Sequence, residues 1–158
     1  MGYITEKGGV RLFKRILIPV DGSSTCRHVY KAANDFHEKF DSILILVHVD
    51  DTSVIQNYVN YPTPGLSIQI DGQARSAEIL RDASKQLDVP DTHLKITSLT
   101  GEPASAILNV ANQEDADLIL ICTHGMGATK RFLMGSVTDR VVHHADIPVM
   151  IVRQDQGI

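Results

Sequence analysis

Three continuous apolar runs restrict the fold of this chain more than any other feature of its sequence. They read Lys14-Arg-Ile-Leu-Ile-Pro-Val20, Ile43-Leu-Ile-Leu-Val-His-Val49 and Asp117-Leu-Ile-Leu-Ile-Cys122. Branched side chains fill them without the polar alternation of a strand that faces water on one side. Strands of this kind are covered on both faces, which is typical of a parallel sheet. The runs therefore predict a buried parallel sheet with helices above and below it.

Segments with helical periodicity separate these runs, and two weaker strands complete the pattern. The weaker strands are expected at residues 93–99, where apolar and polar residues alternate, and at residues 147–152. Helices are expected from Thr25 to Phe40, from about Asp71 to Leu87, from Pro103 onward and from Ser136 to about His144. The inward positions of the first three are expected to be Val29, Ala32, Ala33, Phe36, Phe40; Ala74, Ala77, Leu80, Ala83, Leu87; and Ala104, Ile107, Leu108, Ala111.

This alternation predicts a doubly wound, Rossmann-like α/β fold with five parallel strands in the order 3-2-1-4-5. Pro148 cannot donate a ladder hydrogen bond, which indicates that the last strand lies at an edge. We expect one domain over residues 14–154 and a flexible extension over residues 1–13. Residues 52–70 lack periodicity and contain two prolines, which is typical of a long functional loop.

Composition excludes several classes of protein. A net charge of −4 over 158 residues gives no basic footprint for nucleic acid. No window of 18 apolar residues and no apolar leader is present, so we expect no membrane span and no signal peptide. Cys26 and Cys122 lack metal-binding spacing and are interpreted as reduced thiols. The expected compartment is therefore the cytoplasm.

A loop rich in glycine and cations follows the fourth strand. It contains Gly125 and Gly127, and Gly135-Ser136 sets the start of the next helix, where Ser136-Val-Thr-Asp139 is interpreted as a capping box. Backbone N–H groups and the helix dipole favour an anion at such a place, most often a phosphate. The alternative is ordinary turn chemistry without a ligand.

The predicted strand order brings a carboxylate to the same place. Strand one ends at Asp21 and strand four at Cys122, and these strands are neighbours where the sheet order reverses. Ligands of such sheets bind at the carboxyl ends of the strands at this switch point. A carboxylate can accept hydrogen bonds from ribose or a base while the loop holds phosphates, so the sequence predicts a nucleotide site.

Several blocks of sequence resemble the universal stress protein family. They are Lys14-Arg-Ile-Leu-Ile-Pro-Val-Asp-Gly-Ser23, Leu46-Val-His-Val49, Thr123-His-Gly125, Gly135-Ser-Val-Thr138 and His144-Ala-Asp-Ile-Pro-Val149. The nucleotide-binding branch of that family carries G-x2-G-x9-G-[ST], and here Cys122 stands in place of the first glycine. The resemblance implies binding of ATP or AMP, with Mg²⁺ as an accompaniment of the phosphates.

The resemblance also assigns roles to residues. It implies that Pro19, Val20 and Asp21 flank the adenosine and that the backbone of Val49 meets the adenine edge. Cys122 and Gly125 would line the ribose and the first phosphates. The outer phosphates would meet Gly135, Ser136, Val137 and Thr138. A cysteine side chain that points into the cleft would lower affinity, whereas one that points away would not.

Other chemistry-bearing residues have two readings each. Lys130 and Arg131 either reach a triphosphate or form a solvated turn, and His124 either contacts phosphate or orders the loop. Asp50-Asp51 either holds a magnesium ion or forms a turn, and we favour the turn. His48 is interpreted as a buried histidine with its hydrogen bonds satisfied.

Two histidines are adjacent in the last predicted helix. His143 and His144 point in different directions on a helix, so they are not expected to share a metal ion.

These features predict a homodimeric regulatory protein that senses an adenine nucleotide in the stress response. Motifs of nucleophilic catalysis and the Walker lysine pattern are missing from the sequence, so no catalytic residue is assigned. A slow ATP hydrolase and an interaction protein with a vestigial site are the alternatives. The apolar edge strand Val149–Val152 is expected to pair with its copy across a two-fold axis, as the resemblance also implies.

Overall fold

A five-stranded parallel sheet forms the centre of the computed structural model, which describes residues 12–23, 27–51, 72–123 and 134–153. The strands are β1 (Arg15–Pro19), β2 (Ile43–Asp51), β3 (Leu94–Gly101), β4 (Leu118–Cys122) and β5 (Val149–Val152). The helices are α1 (Arg27–Phe40), α2 (Gly72–Ser84), α3 (Pro103–Gln113) and α4 (Ser136–His144), and a short 3₁₀ turn covers Asp91–His93. Within these ranges, no helix is long and apolar enough to cross a membrane.

The strands lie in the order β3-β2-β1-β4-β5 and every neighbouring pair is parallel. This confirms the predicted doubly wound architecture and its strand order. Strand β5 lies at one edge, as Pro148 indicated, and the partly exposed β3 lies at the other. The chain passes from β1 through β2 to β3 on one side of β1, and then crosses to β4 and β5 on the other side. The switch point therefore lies between β1 and β4.

Side chains that alternate along the strands feed two separate cores. Ile16 and Ile18 of β1 pack with α1 and α2 on one face, whereas Leu17 packs with α3 and α4 on the other. All three are fully buried. Burial on both faces explains why residues 16–18, 43–47 and 118–122 of the three central strands are all apolar, since a polar side chain on either face would lose its water.

Helix boundaries agree with the sequence to within a few residues, and the predicted inward faces of α1 and α3 are confirmed in the main. The face predicted for α2 is partly wrong. Leu80, Ala83 and Leu87 are buried, but Ala74 and Ala77 are exposed. The inward position in the first part of α2 is Ser76. Alanine suits either side of a helix, so the periodicity could not determine which turn faced the sheet.

Strand β2 is longer than predicted. It continues through Asp50 and Asp51, which pair with Thr100 and Gly101 of β3, so the turn expected at these acids is wrong. Carboxylates are rare inside strands, and the sequence for that reason suggested a break. The extension lifts the carboxyl end of β2 beyond that of β1.

An aromatic cluster covers the amino end of the sheet beside α1. Phe13, the last residue of the predicted N-terminal extension, packs on Phe36 and Phe40 with ring centroids 5.0 and 5.3 Å apart. Edge-tilted aromatic pairs at such distances stabilise beyond their buried area by about 0.5–1.5 kcal/mol each. Phe40 is 38% exposed, so its predicted inward position is wrong, although its ring still packs on Phe13.

Candidate functional site

Strands β1 and β4 end side by side at the switch point. Their register pairs Ile16 with Leu118, and the same register carried forward by four residues sets Val20 level with Cys122. Both side chains are buried in the core shared with α1 and α2. The two chain segments that the sequence predicted to converge therefore leave the sheet side by side, at the carboxyl ends of the strands.

The exit from β1 is held through both backbone groups of Val20. Val20 donates its N–H to the carbonyl of Val47 at 2.8 Å, and its own carbonyl accepts from His48 Nδ1 at 2.7 Å. Asp21 follows, and its Oδ1 accepts from the Ser23 N–H at 2.9 Å, which closes an Asx turn. The turn places the Asp21 carboxylate at the edge of the sheet with its backbone direction fixed.

Gly22 is required by the same turn. Its φ of +81° lies in the left-handed region, and an added Cβ would lie 3.0 Å from Ile79 Cγ1 of α2. A larger residue would be strained and would push against the helix. The β1 exit is therefore packed directly against α2.

The exit from β4 is tied to the start of α4 by two hydrogen bonds. The carbonyl of Thr123 accepts from the Gly135 N–H at 2.8 Å, and the carbonyl of Cys122 accepts from the Thr138 hydroxyl at 2.8 Å. Thr138 is buried. These bonds hold the first turn of α4 against the end of the strand.

The predicted helix start is confirmed, but the predicted capping box is wrong. Gly135 is the N-cap, with φ −62° and ψ 149°, and it has no side chain to cap the helix. Ser136 is already helical, because the N–H of Asp139 donates to the carbonyl of Gly135. The box is displaced by one residue from the position it needs. The N–H groups of the first turn thus have no side-chain cap from Gly135, and they carry the positive end of the helix dipole.

The carboxyl ends of the strands and the start of α4 are called the rim below. The other predicted site residues lie on this rim or outside the described residues. Pro19 closes β1, Val49 lies half-buried near the end of β2, and Val137 lies half-buried in the first turn of α4. Gly125 lies outside the described residues, as do His124, Lys130 and Arg131. The described part of the rim is therefore made of β1, β2, β4 and the start of α4.

The Cys122 side chain packs into the core. It is 7% exposed and lies in the cluster that contains Val20, Leu120 and the inward face of α1. A side chain placed there does not fill the space beyond the strand ends. For a side chain in this orientation, replacing the first motif glycine by cysteine is expected to leave nucleotide affinity unchanged.

His48 has its predicted character, and it also belongs to a contact that the sequence did not reveal. It is buried and bonded to Val20, while its Nε2 lies 3.5 Å from Asp50 Oδ1. The other oxygen of Asp50 accepts from the Ser76 hydroxyl at 2.6 Å. The signal in the sequence is Ser76, a polar residue on the inward face of α2. The periodicity of α2 assigns Ala74 and Ala77 to that face instead, so this signal was missed. Among the described residues, no group of three or more His, Cys, Asp or Glu side chains could hold a metal ion.

A charged contact joins the starts of α3 and α4 near this rim. Glu102 caps α3 and accepts from Ser105 through both its hydroxyl and its N–H, and it also pairs with Arg140 of α4 at 2.9 Å. The hydrogen bonds from Ser105 lower the pKa of Glu102 from 4.5 to about 2, and Ala104 and Arg140 add to this. The carboxylate is therefore ionised throughout the physiological range.

A depression of about 330 Å³ lies at the opposite, amino end of the strands. Its lining includes Lys14, Arg15, Asp41 and His93. Arg15 pairs with Glu114 at 2.7 Å, and His93 Nε2 lies 3.1 Å from Asp41 Oδ1. Because Arg15 and His93 have acidic partners and Lys14 Nζ donates to the Phe40 carbonyl, the depression is a poorer anion site than the switch-point rim.

Comparison with known proteins adds a family relationship. The sequence model of the universal stress protein family matches residues 12–153. The chain is 31% identical over 150 residues to universal stress protein MJ0531 of Methanocaldococcus jannaschii, with 94% of this chain and 86% of that protein covered.

Solved structures share the fold of this chain. Hypothetical protein MJ0577, the subject of a structure-based assignment of biochemical function, superposes with a TM-score of 0.75 at 26% identity, covering 93% of this chain and all of that one. The universal stress protein from Archaeoglobus fulgidus in complex with dAMP gives 0.62 at 22% identity, covering 89% and 98%.

Proposed function

Because this chain belongs to the universal stress protein family, we propose that it is a regulatory protein of the stress response that binds ATP or AMP. The observation that carries the proposal is the meeting of the Asp21 turn with the start of α4 at the switch point. One segment offers a carboxylate and the other offers helical N–H groups. A nucleotide needs both, since its sugar and base donate hydrogen bonds while its phosphates accept them.

The proposed pose follows the rim. Pro19 and Val20 flank the adenosine, Asp21 accepts from the ribose hydroxyls, and the backbone of Val49 meets the adenine edge. Cys122 lines the ribose through its backbone, because its side chain is committed to the core. Gly125 completes the ribose and phosphate contacts in the family motif.

The outer phosphates are proposed to meet the backbone of Gly135 and of the first turn of α4. Ser136 is exposed and can add its hydroxyl. The Thr138 hydroxyl already donates to Cys122, so Thr138 and Val137 would contribute main-chain N–H groups. A Mg²⁺ ion would take phosphate oxygens and water as most of its ligands, in keeping with its ordinary chemistry in nucleotide sites.

The dAMP complex of the Archaeoglobus fulgidus protein supports an adenylate as the ligand, since that protein has the same fold. A regulatory role agrees with tight structural use of the polar groups on the rim. His48, Thr138 and the Asp21 turn all hold backbone groups of the protein, so they suit a site that binds a ligand in one defined orientation.

The test is a thermal-shift and calorimetry panel with ATP, AMP and GTP, each with and without Mg²⁺. Bound ligand at a hundredfold excess over Kd stabilises the fold by about 2.7 kcal/mol. Asp21→Asn keeps an oxygen for the Ser23 N–H but removes the charge, so it is expected to weaken adenylate binding. Asp82→Asn, on the exposed face of α2, is the matched control.

Three outcomes separate the candidate functions. An adenylate shift that Asp21→Asn reduces supports the proposal. Multiple turnovers of ATP that Asp21→Asn abolishes would make the protein a hydrolase instead. Absence of any shift at millimolar ATP and AMP would leave an interaction protein with a vestigial site.

We further propose a homodimer that pairs Val149–Val152 with its copy in antiparallel orientation. Among the described residues, strand β5 has a neighbouring strand on one side only, and its Met150 is 38% exposed. Such an edge invites pairing. Met150→Lys is expected to give a monomer by light scattering at micromolar concentration. Ile96→Lys, at an exposed apolar position on the opposite edge strand, is expected to leave the dimer unchanged. A wild-type monomer would refute the pairing.

A further inference from the structure

Helix α2 is linked to the exit of β1 through buried His48 and Ser76 and half-buried Asp50. His48 is 6% exposed, and its Nδ1 must carry the hydrogen that Val20 accepts, because a carbonyl oxygen cannot donate. Val20 also donates its own N–H to Val47. Strand β2 therefore binds both backbone groups of Val20, and the carbonyl, which belongs to the Val20–Asp21 peptide, is bound by a side chain.

The same side chain is held from behind. Asp50 lies two residues beyond His48 on β2, hence on the same face of the sheet. Its Oδ1 lies 3.5 Å from His48 Nε2, an ion pair in the form of His48 that carries a hydrogen on both ring nitrogens, and its Oδ2 accepts from the Ser76 hydroxyl at 2.6 Å. Ser76 belongs to α2 and is 1% exposed. The connection therefore runs from α2 through two side chains of β2 to the carbonyl of Val20.

A second contact reaches the same turn from the same helix. Ile79 of α2 fills the space beside Gly22, where a Cβ would be 3.0 Å away. Ser76 and Ile79 are three residues apart and share one face of the helix. One face of α2 thus touches Val20 through polar contacts and Gly22 through packing, on either side of Asp21.

We propose that Ser76, Asp50 and His48 form a positioning relay that sets the direction of the Val20–Asp21 peptide and couples the docking of α2 to nucleotide binding. The relay rests on the proposed function only for its second half, since the hold on Val20 exists without ligand. Asp21 leaves the peptide that His48 fixes, so the aim of its carboxylate depends on the relay. By thermodynamic linkage, a nucleotide that favours this aim also favours the docked helix.

Chemistry argues that the relay is more than packing. Burying a hydroxyl, a carboxylate and an imidazole costs free energy unless each is paired, and apolar side chains of similar size would fill the space. A connected polar network instead imposes direction on the groups it joins. Here the group at its end is the carbonyl that precedes Asp21, rather than an arbitrary point of the core.

The first arm of the test uses the ligand-free protein. The carbonyl ¹³C shift of Val20 reports its hydrogen bond directly, and the amide shifts of Asp21 and Gly22 report the turn. Ser76→Ala, two side chains away from Val20, is expected to move these signals. Ser84→Ala removes a hydroxyl that bonds only locally to Arg81 at the end of the same helix, and it is expected to leave them in place.

The second arm measures the Kd of AMP and ATP by calorimetry. Ser76→Ala is expected to weaken binding about five- to tenfold, the low end of coupling between sites. His48→Asn keeps a donor for Val20 but is too short to reach Asp50, so it interrupts the relay at another joint with a similar loss. His37→Asn is its matched control, because His37 also contacts a carbonyl, that of Ser42 at 2.9 Å, at the opposite end of the sheet.

The two arms distinguish failure of the relay from failure of the proposed function. If the wild-type protein binds AMP or ATP and Ser76→Ala changes neither the Val20 signal nor the Kd, the relay is refuted while nucleotide binding stands. If the wild-type protein binds no adenylate, nucleotide binding is refuted, and the Val20 signal alone decides whether the relay holds the peptide. A Val20 shift with unchanged Kd would refute the coupling to the ligand.

Discussion

At the amino end of the sheet, side-chain charges hold the backbone groups that begin the central strands. The Asp117 carboxylate is buried, and it accepts from the N–H groups of Lys14 and Arg15 at 2.8 and 3.2 Å. Glu114 pairs with Lys95 and Arg15, and the hydrogen bond from Lys95 is the largest cause that lowers its pKa. Charges there are matched within the protein.

At the carboxyl end of the same strands, side-chain donors hold carbonyl groups instead. His48 donates to Val20, and Thr138 donates to Cys122. Strand carbonyls are thereby satisfied without using the N–H groups of the first turn of α4. One end of the sheet is closed on itself, whereas the other keeps positive helix-end groups and the Asp21 carboxylate at the rim.

The difference suggests a division of work between stability and binding along one set of strands. Changes at the amino end should lower the free energy of unfolding and leave ligand affinity alone. Changes at the carboxyl end should affect both, with binding more sensitive. Measuring unfolding and binding on the same variants therefore tests the comparison itself.

The largest expected effect is that of Asp117→Ala. It leaves two backbone N–H groups at the start of β1 without their acceptor, at a cost of about 3 kcal/mol in the free energy of unfolding. Urea denaturation at pH 7 measures this. AMP affinity, measured at urea concentrations well below the unfolding midpoint of the variant, is expected to stay at the wild-type value.

Asp82→Ala is the control for this variant, because Asp82 is an exposed helix residue with only surface ion pairs. A loss of AMP affinity in Asp117→Ala that exceeds tenfold would mean that the two ends of β1 do not act separately.

The next effect is that of Thr138→Val. The two side chains have the same shape, but valine removes the hydroxyl that donates to the buried carbonyl of Cys122, which costs about 2 kcal/mol. Since this bond holds α4 against β4, nucleotide affinity is expected to fall as well. Thr138→Ser keeps the hydroxyl and is expected to retain most of both quantities. Equal binding by the valine variant would show that the start of α4 is positioned by other contacts.

Much of the fold follows from sequence because its signals are local and repeated. The apolar runs at β1, β2 and β4 could be buried only on both faces, and Pro148 excluded a central position for β5. The register of α2 was less accessible. Alanines such as Ala74 carry little preference, and the pairing that turns Ser76 inward involves Asp50, 26 residues away.

The candidate site divides in the same way. Convergence of Asp21 with the end of β4 follows from strand order, a property of topology that the sequence pattern encodes. The hydrogen bonds that orient the rim do not, because each joins residues remote in sequence or depends on one helix start. Taking Ser136 as the cap was an error of one residue, and only the backbone angles of Gly135 reveal it.

A smaller effect is expected from Cys122→Gly, which restores the family motif. The side chain packs in the core, so its removal is expected to cost about 1 kcal/mol from lost packing and from the freedom of glycine in the unfolded chain. Affinity for AMP is expected to stay within twofold, because the sulfur does not fill the cleft. Cys122→Ala separates packing from backbone effects. A tenfold gain in affinity for the glycine variant would place the sulfur in the path of the ligand.

The smallest effect is that of Glu102→Gln on the free energy of unfolding, and this effect is expected to depend on pH. The pKa of Glu102 is lowered to about 2 in the folded protein, so its charge stabilises the fold above its ordinary value of 4.5 and loses this effect as pH falls from 4.5 towards 2. The side chain is 44% exposed, and solvent screening limits the contribution to about 0.5 kcal/mol. The stability difference between wild type and Glu102→Gln should therefore vanish near pH 2. Glu78→Gln, on the exposed side of α2, supplies the baseline. A difference that stays constant from pH 7 to pH 2 would mean that shape rather than charge at Glu102 joins α3 to α4.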